Sequence, residues 1–260
     1  MVDIHSHILP GLDDGARTMS ETIEMIEIAR AAGTTAIVAS PHADTQYAYN
    51  PERIEELLAE VRRQAGPGIA LVRGCDFHLM QSNVDDALKH PSRYTIGGKC
   101  YLLMELSDMI VFPNTGAIWT DLENAGMRII LTHPERNPLL RQRIELIEEW
   151  VAQGRYMQVT AQSLLGVFGP KACEFATRLL DRGLVHFLAS DGHNPKHRPP
   201  RLDQGFEWVA KKYSPQLAQL LCVEHPRAVL SGEPLDLTDF PPANEKRGIL
   251  DNIRKLIADL

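Results

Sequence analysis

Four short apolar runs in this chain each end on histidine: Val2-Asp3-Ile4-His5-Ser6-His7, Val38-Ala39-Ser40-Pro41-His42, Ile130-Leu131-Thr132-His133 and Leu188-Ala189-Ser190-Asp191-Gly192-His193. Two further runs, Leu71-Val72-Arg73-Gly74-Cys75-Asp76 and Tyr101-Leu102-Leu103-Met104-Glu105, end on a carboxylate. This regularity restricts the fold. Strands that alternate with helices run parallel and present their carboxyl ends to one side, so side chains far apart in sequence converge there.

The chain between these runs carries helix signals. Ser20 is an expected N-cap for a helix reaching Ala32, with Gly33 ending it, and Asn50-Pro51 opens another with Ile54, Leu57, Leu58 and Val61 at helical spacing. Strands are expected over 2–5, 35–40, 69–75, 101–106, 128–132, 156–160 and 185–190. Helices are expected near 115–124, around Ile144, Ile147 and Val151, and over 171–182, 203–213 and 215–222. The expectation is an α/β fold, a seven-stranded (β/α) barrel, because a closed ring lets distant strands meet around one centre. A single domain is expected over 1–232. Pro234 to Asn244 reads as a linker, and Ile249, Leu250, Ile253, Leu256, Ile257 and Leu260 as the apolar stripe of a C-terminal amphipathic helix.

Composition narrows the chemistry. With 260 residues and 44% hydrophobic residues the chain can bury a full core. A formal charge of −7 disfavours general nucleic-acid binding. Cysteines 75, 100, 173 and 222 have neither CxxC spacing nor the C-x5-R loop of thiol phosphatases, which suits free thiols in a reducing cytoplasm. Neither a signal peptide nor a transmembrane segment is read.

His5, His7, His42, Asp76, Glu105, His133, Asp191 and His193 are candidate metal ligands, with Asp13 or Asp14 from the loop after the first strand. Imidazole mixed with carboxylate and no thiolate suits manganese, iron or zinc. Nine ligands exceed the needs of one ion, so two to three divalent ions are expected. His78 is a reserve ligand, while His186 reads as an interior residue of the seventh strand. Arg136 and Arg198, close after His133 and His193, suit the equatorial oxygens of a phosphoryl group, with Arg201 as the alternative to Arg198.

Taken in order, Asp3-Ile4-His5-Ser6-His7-Ile8-Leu9-Pro10 with Asp13-Asp14-Gly15, Ser40-Pro41-His42, Thr132-His133-Pro134-Glu135-Arg136-Asn137, Gly166-Val167-Phe168-Gly169 and Ala189-Ser190-Asp191-Gly192-His193-Asn194 resemble the bacterial tyrosine-protein phosphatases of the polymerase and histidinol phosphatase (PHP) superfamily. These are manganese-dependent enzymes associated with capsular and exopolysaccharide synthesis. The resemblance runs from residue 2 to about 232 and implies a distorted seven-stranded β/α barrel with a trinuclear centre. By position it implies one ion on His5, His7, Asp76 and Asp191, a second on Asp76, Glu105 and His133, and a third on Asp14, His42 and His193. Asp76 stands where the family has a bridging glutamate, one methylene longer. Arg136 and Arg198 match its phosphate-binding arginines.

The resemblance implies hydrolysis of protein phosphotyrosine by a metal-bridging hydroxide. The expected partner is a bacterial tyrosine kinase controlling polysaccharide synthesis, with recruitment from the cytoplasm to a membrane kinase. A histidinol-phosphate-like phosphatase is the alternative, followed by a nuclease and a non-catalytic metal-binding regulator.

Overall fold

The computed structural model describes residues 1–238 and Phe240. All the paired strands run parallel, in two sheets. In chain order they are β1 (Val2–Ser6), β2 (Ala36–Ala39), β3 (His42–Ala43), β4 (Ala70–Arg73), β5 (Asp76–His78), β6 (Tyr101–Glu105), β7 (Arg128–Thr132), β8 (Tyr156–Thr160) and β9 (Phe187–Ala189). One sheet has the order β1-β2-β4 and the other β3-β5-β6-β7-β8-β9. The seven expected strand positions are occupied, two of them are followed after a break by a further short strand that was not expected (β3 and β5), and the strands do not form one continuous seven-stranded ring. Pro41 separates β2 from β3 and has no N–H to give a ladder. Gly74 separates β4 from β5, and a Cβ there would stand 2.4 Å from Val38 Cγ1.

Backbone hydrogen bonds cross both breaks. Ser40 N–H donates to Ser6 O at 2.9 Å, Gly74 N–H to Ala39 O at 2.8 Å and Asp76 N–H to Pro41 O at 3.1 Å. β1 meets the segment after β9 through Asp191 N–H to His5 O at 2.9 Å and His7 N–H to Gly192 O at 2.8 Å. A side chain at 192 is blocked, since a Cβ would lie 2.8 Å from Pro200 Cα.

Alternation along the strands sorts the core into layers. Val2, Ile4, Ala36, Val38, Tyr101, Leu103, Ile130, Phe187 and Ala189 pack on one another, with Val229 and Leu235. Their neighbours Leu102, Met104, Ile129, Leu131, Met157, Val159 and Leu188 pack in a second cluster with Trp119, Ile147, Phe175 and Leu179 from the helices. Ile37 and Ala39 face Met25, Ile26, Leu57 and Leu58 of the first two helices, Met19–Ala31 and Pro51–Ala65.

Several expected boundaries move. Thr18, not Ser20, caps the first helix, its Oγ1 accepting from Glu21 N–H at 3.2 Å. Helices at Gln81–Lys89 and His225–Ser231 were not anticipated, and the expected 215–222 helix passes from α to π geometry at Leu220–Glu224. The start of the expected linker packs on the body: Leu235 is buried, and Glu233 O accepts from Tyr101 Oη–H at 2.6 Å. The expected helix at 249–260 lies outside the described residues.

His186 precedes β9 instead of lying within it, and is buried, with Phe240 stacked on it at 4.8 Å. Its Nδ1 accepts from Met157 N–H at 3.2 Å. Burial, with His225 nearby, lowers its pKa from 6.5 to about 3. The unfolded chain therefore binds a proton near pH 6.5 that the folded chain refuses until about pH 3. This contribution to stability is present above pH 6.5 and is lost as pH falls through that window. His186→Gln is expected to flatten the pH dependence of unfolding free energy between about pH 4 and 6, by up to ~1.4 kcal/mol per pH unit. Chemical denaturation at several pH values checks this, and identical slopes in both proteins would contradict it.

Candidate metal centre

His5, Glu105, His133, Asp191 and His193 lie at or just beyond the carboxyl end of a strand, His42 and Asp76 open the short strands that follow β2 and β4, and Asp14 lies in the loop after β1. β1 carries His5, with His7 and Asp14 following; β3 carries His42, β5 Asp76 and β6 Glu105; His133 follows β7, and Asp191 and His193 follow β9. The turn of His5 into the site depends on an irregularity. Val2 and Ile4 belong to the central cluster, so strict alternation would turn His5 away from it. The pairing of β1 with β2 shifts register between Asp3 and Ser6, and the His5 ring instead reaches Gln158 of β8.

The side chains converge closely. His5 Nε2 lies 3.2 Å from His7 Nε2, 3.4 Å from Asp76 Oδ2 and 3.6 Å from Asp191 Oδ1. His42 Nδ1 is 3.3 Å from Asp76 Oδ2 and 3.5 Å from Glu105 Oε2, and its Nε2 is 3.5 Å from Asp14 Oδ1. His193 Nε2 is 3.4 Å from Asp14 Oδ1, and His133 Nε2 is 3.7 Å from Glu105 Oε1. Among the described residues, three groups have ligand atoms within 4.8 Å of one another: His7, Asp14, His42 and His193; His5, His7 and Asp76; and His42, Asp76 and Glu105. This grouping differs from the implied ligand sets: His7 joins the Asp14 group, His42 takes the place of His133 with Asp76 and Glu105, and neither Asp191 nor His133 falls in any of the three groups. The reserve residue His78 reaches Glu105 alone, at 3.5 Å.

The histidines' outer nitrogens reveal what their inner ones face. His5 Nδ1 lies 2.9 Å from Gln158 Oε1, His7 Nδ1 2.8 Å from Asp13 Oδ2 and His193 Nδ1 2.8 Å from Asp191 O. Each partner is an acceptor, so each neutral imidazole carries its proton on Nδ1 and aims the Nε2 lone pair inward. Two such lone pairs confront each other between His5 and His7, and a third faces Asp14. Buried His42 Nδ1 and Asp76 Oδ2 lack hydrogen-bond partners altogether. Lone pairs and carboxylates crowded together repel unless cations lie between them, so the donor set fits divalent metals.

Electrostatics point the same way. Burial opposes charge on His7 and His42, yet Asp13 holds His7 up at about 9, and Asp14 and Asp76 hold His42 up at about 12. Without other cations the centre therefore draws in protons, which metal ions displace on binding. Burial pulls His193 down to about 4, and burial with Arg136 keeps His133 well below the ordinary imidazole range, leaving both as neutral donors. Burial and the neighbouring Asp76 push the Glu105 carboxyl up. Asp191 is held well below its ordinary value by Arg136 and His5, against the effect of burial.

Both arginines reach Asp191. Arg136 Nη1 and Arg198 Nη2 donate to Asp191 Oδ2, the latter at 2.6 Å, and both side chains keep about a quarter of their surface exposed. Their guanidinium groups lie over the Phe168 ring, 4.6 and 5.5 Å from its centroid. Arg201 instead pairs with Asp203. Asp14 faces the cluster, whereas Asp13 holds His7 from outside and accepts from His42 N–H at 3.2 Å and Gly15 N–H at 2.9 Å.

Sequence reasoning missed several supporting residues. Gln158 and Asp3 are polar groups within apolar strands, which was the available signal for both. Asp3 Oδ1 accepts from Ser190 N–H at 3.0 Å and ties β1 to the turn carrying Asp191. Buried Glu135 accepts from Ser163 Oγ–H at 2.7 Å and Thr160 N–H at 3.0 Å, bracing the loop with Arg136. His133 and Asp191 are the non-glycine residues with positive φ among those described, at 33° and 50°. Strain is thus confined to two candidate ligands.

Known proteins resemble this chain in sequence and fold. YwqE of Bacillus subtilis (strain 168), named a tyrosine-protein phosphatase, is 29% identical over 85% of this chain and 88% of its own. CapC of Staphylococcus aureus is 32% identical over 90% of this chain and 92% of its own. Among solved structures, one from the work on YwqE from Bacillus subtilis and CpsB from Streptococcus pneumoniae, described as unique metal-dependent tyrosine phosphatases, superposes with a TM-score of 0.84 at 28% identity, covering 91% of this chain and 96% of the other. The lactonase Lmo2620 from Listeria monocytogenes, at 10% identity and a TM-score of 0.59, shares the fold alone. The family described as capsular polysaccharide synthesis, CpsB/CapC, matches residues 1–231, and the chain belongs to it.

Proposed function

We propose that this protein is a metal-dependent phosphatase that hydrolyses phosphotyrosine in proteins, on a bacterial tyrosine kinase controlling capsular polysaccharide synthesis. One observation carries the reading: two partly exposed arginines stand on the rim of a cluster whose inward lone pairs and carboxylates fit several divalent cations. That pairing suits a phosphomonoester. The accompanying fold reading is a distorted seven-stranded β/α barrel forming a single domain over 1–232, supported by the parallel pairing and the Ser6–Gly192 bridge. The proposed ligands are His5, His7, Asp14, His42, Asp76, Glu105, His133, Asp191 and His193. They would hold two to three ions, with manganese the preferred metal. The protein is read as cytoplasmic and recruited to a membrane kinase; no described helix is long and apolar enough to cross a membrane.

Bound divalent ions supply an acidified water and draw charge from the phosphoryl oxygens. Hydrolysis would form a bond from water oxygen to phosphorus as the bond to the phenolic oxygen breaks; the phenolate would leave with the electron pair and take up the proton that the water gives up. In this reaction Arg136 and Arg198 turn from Asp191 to the equatorial phosphoryl oxygens, with Phe168 keeping the two like charges side by side. Asp13 and Gln158 fix the imidazole rings. No thiol is needed: Cys75 is buried, and burial holds its pKa well above the ordinary thiol value, so it is not a thiolate nucleophile.

Replacing either Arg136 or Arg198 with Ala is expected to leave the metal content unchanged and lower kcat/KM on a phosphotyrosine peptide by roughly two to three orders of magnitude. Lys at either position should rescue only partly, because an ammonium lacks the planar fork. Steady-state kinetics and elemental analysis on the same samples check this, and near-normal kinetics in both Ala variants would sink the phosphate clamp.

Asp13→Ala removes no proposed ligand but releases the outer nitrogen of His7. Metal affinity should fall by about 10–100-fold, as is usual when the outer partner of a ligating histidine is lost. Competition with a chelator measures it, and unchanged affinity would show that His7 is not a ligand held in this way.

A further inference from the structure

Beside the loop that carries Arg136 lies a second cavity, of about 450 Å³, lined by Arg141, Lys171, Glu174, Phe175 and Arg178 among others. Three cations against one carboxylate is an unusual balance on a chain with formal charge −7. Among the described residues, no carboxylate forms a salt bridge with Arg141, Lys171 or Arg178. Lys171, Glu174, Phe175 and Arg178 share one face of the helix Pro170–Asp181 through their three- and four-residue spacing. Phe175 supplies a buried apolar wall.

The cavity is joined to the candidate active site in two ways. Arg141 Nη1 donates to Glu135 O at 3.2 Å and to Arg136 O at 2.6 Å, so its guanidinium is fixed on the peptide that presents Arg136. The Pro170–Asp181 helix begins two residues after Phe168, whose ring supports both Arg136 and Arg198. The cationic cleft thus borders the same loop and helix that position Arg136 and Phe168 at the candidate site.

We infer that this cleft is a second anion site, which takes a carboxylate or phosphoryl side chain flanking the target phosphotyrosine in the same substrate peptide. The inference rests on the phosphatase reading above and adds to it a preference for acidic or multiply phosphorylated sequences. Arg141 and Arg178 provide charge-assisted hydrogen bonds, and Lys171 provides a point charge.

The test uses the full chain reconstituted with Mn²⁺, as wild type and as the Lys171→Ala/Arg178→Ala double variant. The substrates are p-nitrophenyl phosphate and three sets of phosphotyrosine peptides: neutral flanks, a glutamate scanned through the flanking positions, and a second phosphotyrosine scanned likewise. In wild type, at least one acidic or doubly phosphorylated peptide should show a KM about tenfold below that of the neutral peptide, with kcat little changed. The double variant should lose that preference while metal content and turnover of p-nitrophenyl phosphate stay within about twofold, since neither residue touches the metal cluster. The two scanned sets distinguish a carboxylate from a phosphoryl occupant. Equal KM for all peptides in wild type, or an undiminished preference in the double variant, would overturn the second site while leaving the phosphatase reading intact. Hydrolysis of p-nitrophenyl phosphate but of no phosphotyrosine peptide would overturn both.

Discussion

The structure depends on a repulsion that only cations can relieve. Five imidazoles and four carboxylates from distant parts of the chain occupy one pocket, and the outer hydrogen bonds of His5, His7 and His193 turn their lone pairs inward. The arginines offset part of the negative charge, but both sit on a single carboxylate, Asp191. Removing charge from water is costly, and an array of this kind is stable when ions complete it. On the proposed ligand set, metal binding would form part of the folding free energy of this protein as well as of its chemistry.

The scaffold concentrates its irregularities at this pocket. Parallel strands separated by helices bring distant strand ends together, but regular strands would not aim all these candidate ligands at one another. The register shift in β1 redirects His5, the break at Pro41 creates a short strand for His42, and the break at Gly74 does the same for Asp76. The positive φ angles of His133 and Asp191 complete the set. Asp3 and Glu135, buried carboxylates that accept from backbone N–H groups, fasten the turn that carries Asp191 and the loop that carries Arg136. The buried layers of Leu103, Ile130 and Phe187 on one side, and Leu131, Met157 and Leu188 on the other, provide the rigidity against which these distortions are held.

Much of this was legible in the sequence because the ligand types end apolar runs, a pattern that gives strand position and function together. The strands at Arg128–Thr132 and Tyr156–Thr160 lie where expected. The short strands β3 and β5 were not legible: the expected strands ended at Ser40 and Cys75, and pairing with neighbouring strands past Pro41 and Gly74 is what makes His42 and Asp76 the first residues of further strands. The Gln81–Lys89 helix escaped notice because it buries little more than Val84 and Ala87. Asp13 and Asp14 are chemically identical neighbours, and only the tertiary partners, His7 for one and His42 with His193 for the other, separate them. Arg198 and Arg201 were likewise told apart by the path of a proline-rich loop, which places the first on Asp191 and the second on Asp203.

Metal stoichiometry tests the central claim most directly, since it reads the pocket itself and needs no assumption about substrate. The full chain, stripped with chelator, reloaded with Mn²⁺ and desalted, would be analysed by elemental mass spectrometry alongside its thermal unfolding midpoint. The account predicts two to three ions per chain and a midpoint that rises with loading, because ions that bind the folded state stabilise it. One ion or fewer per chain, with an unchanged midpoint, would contradict it.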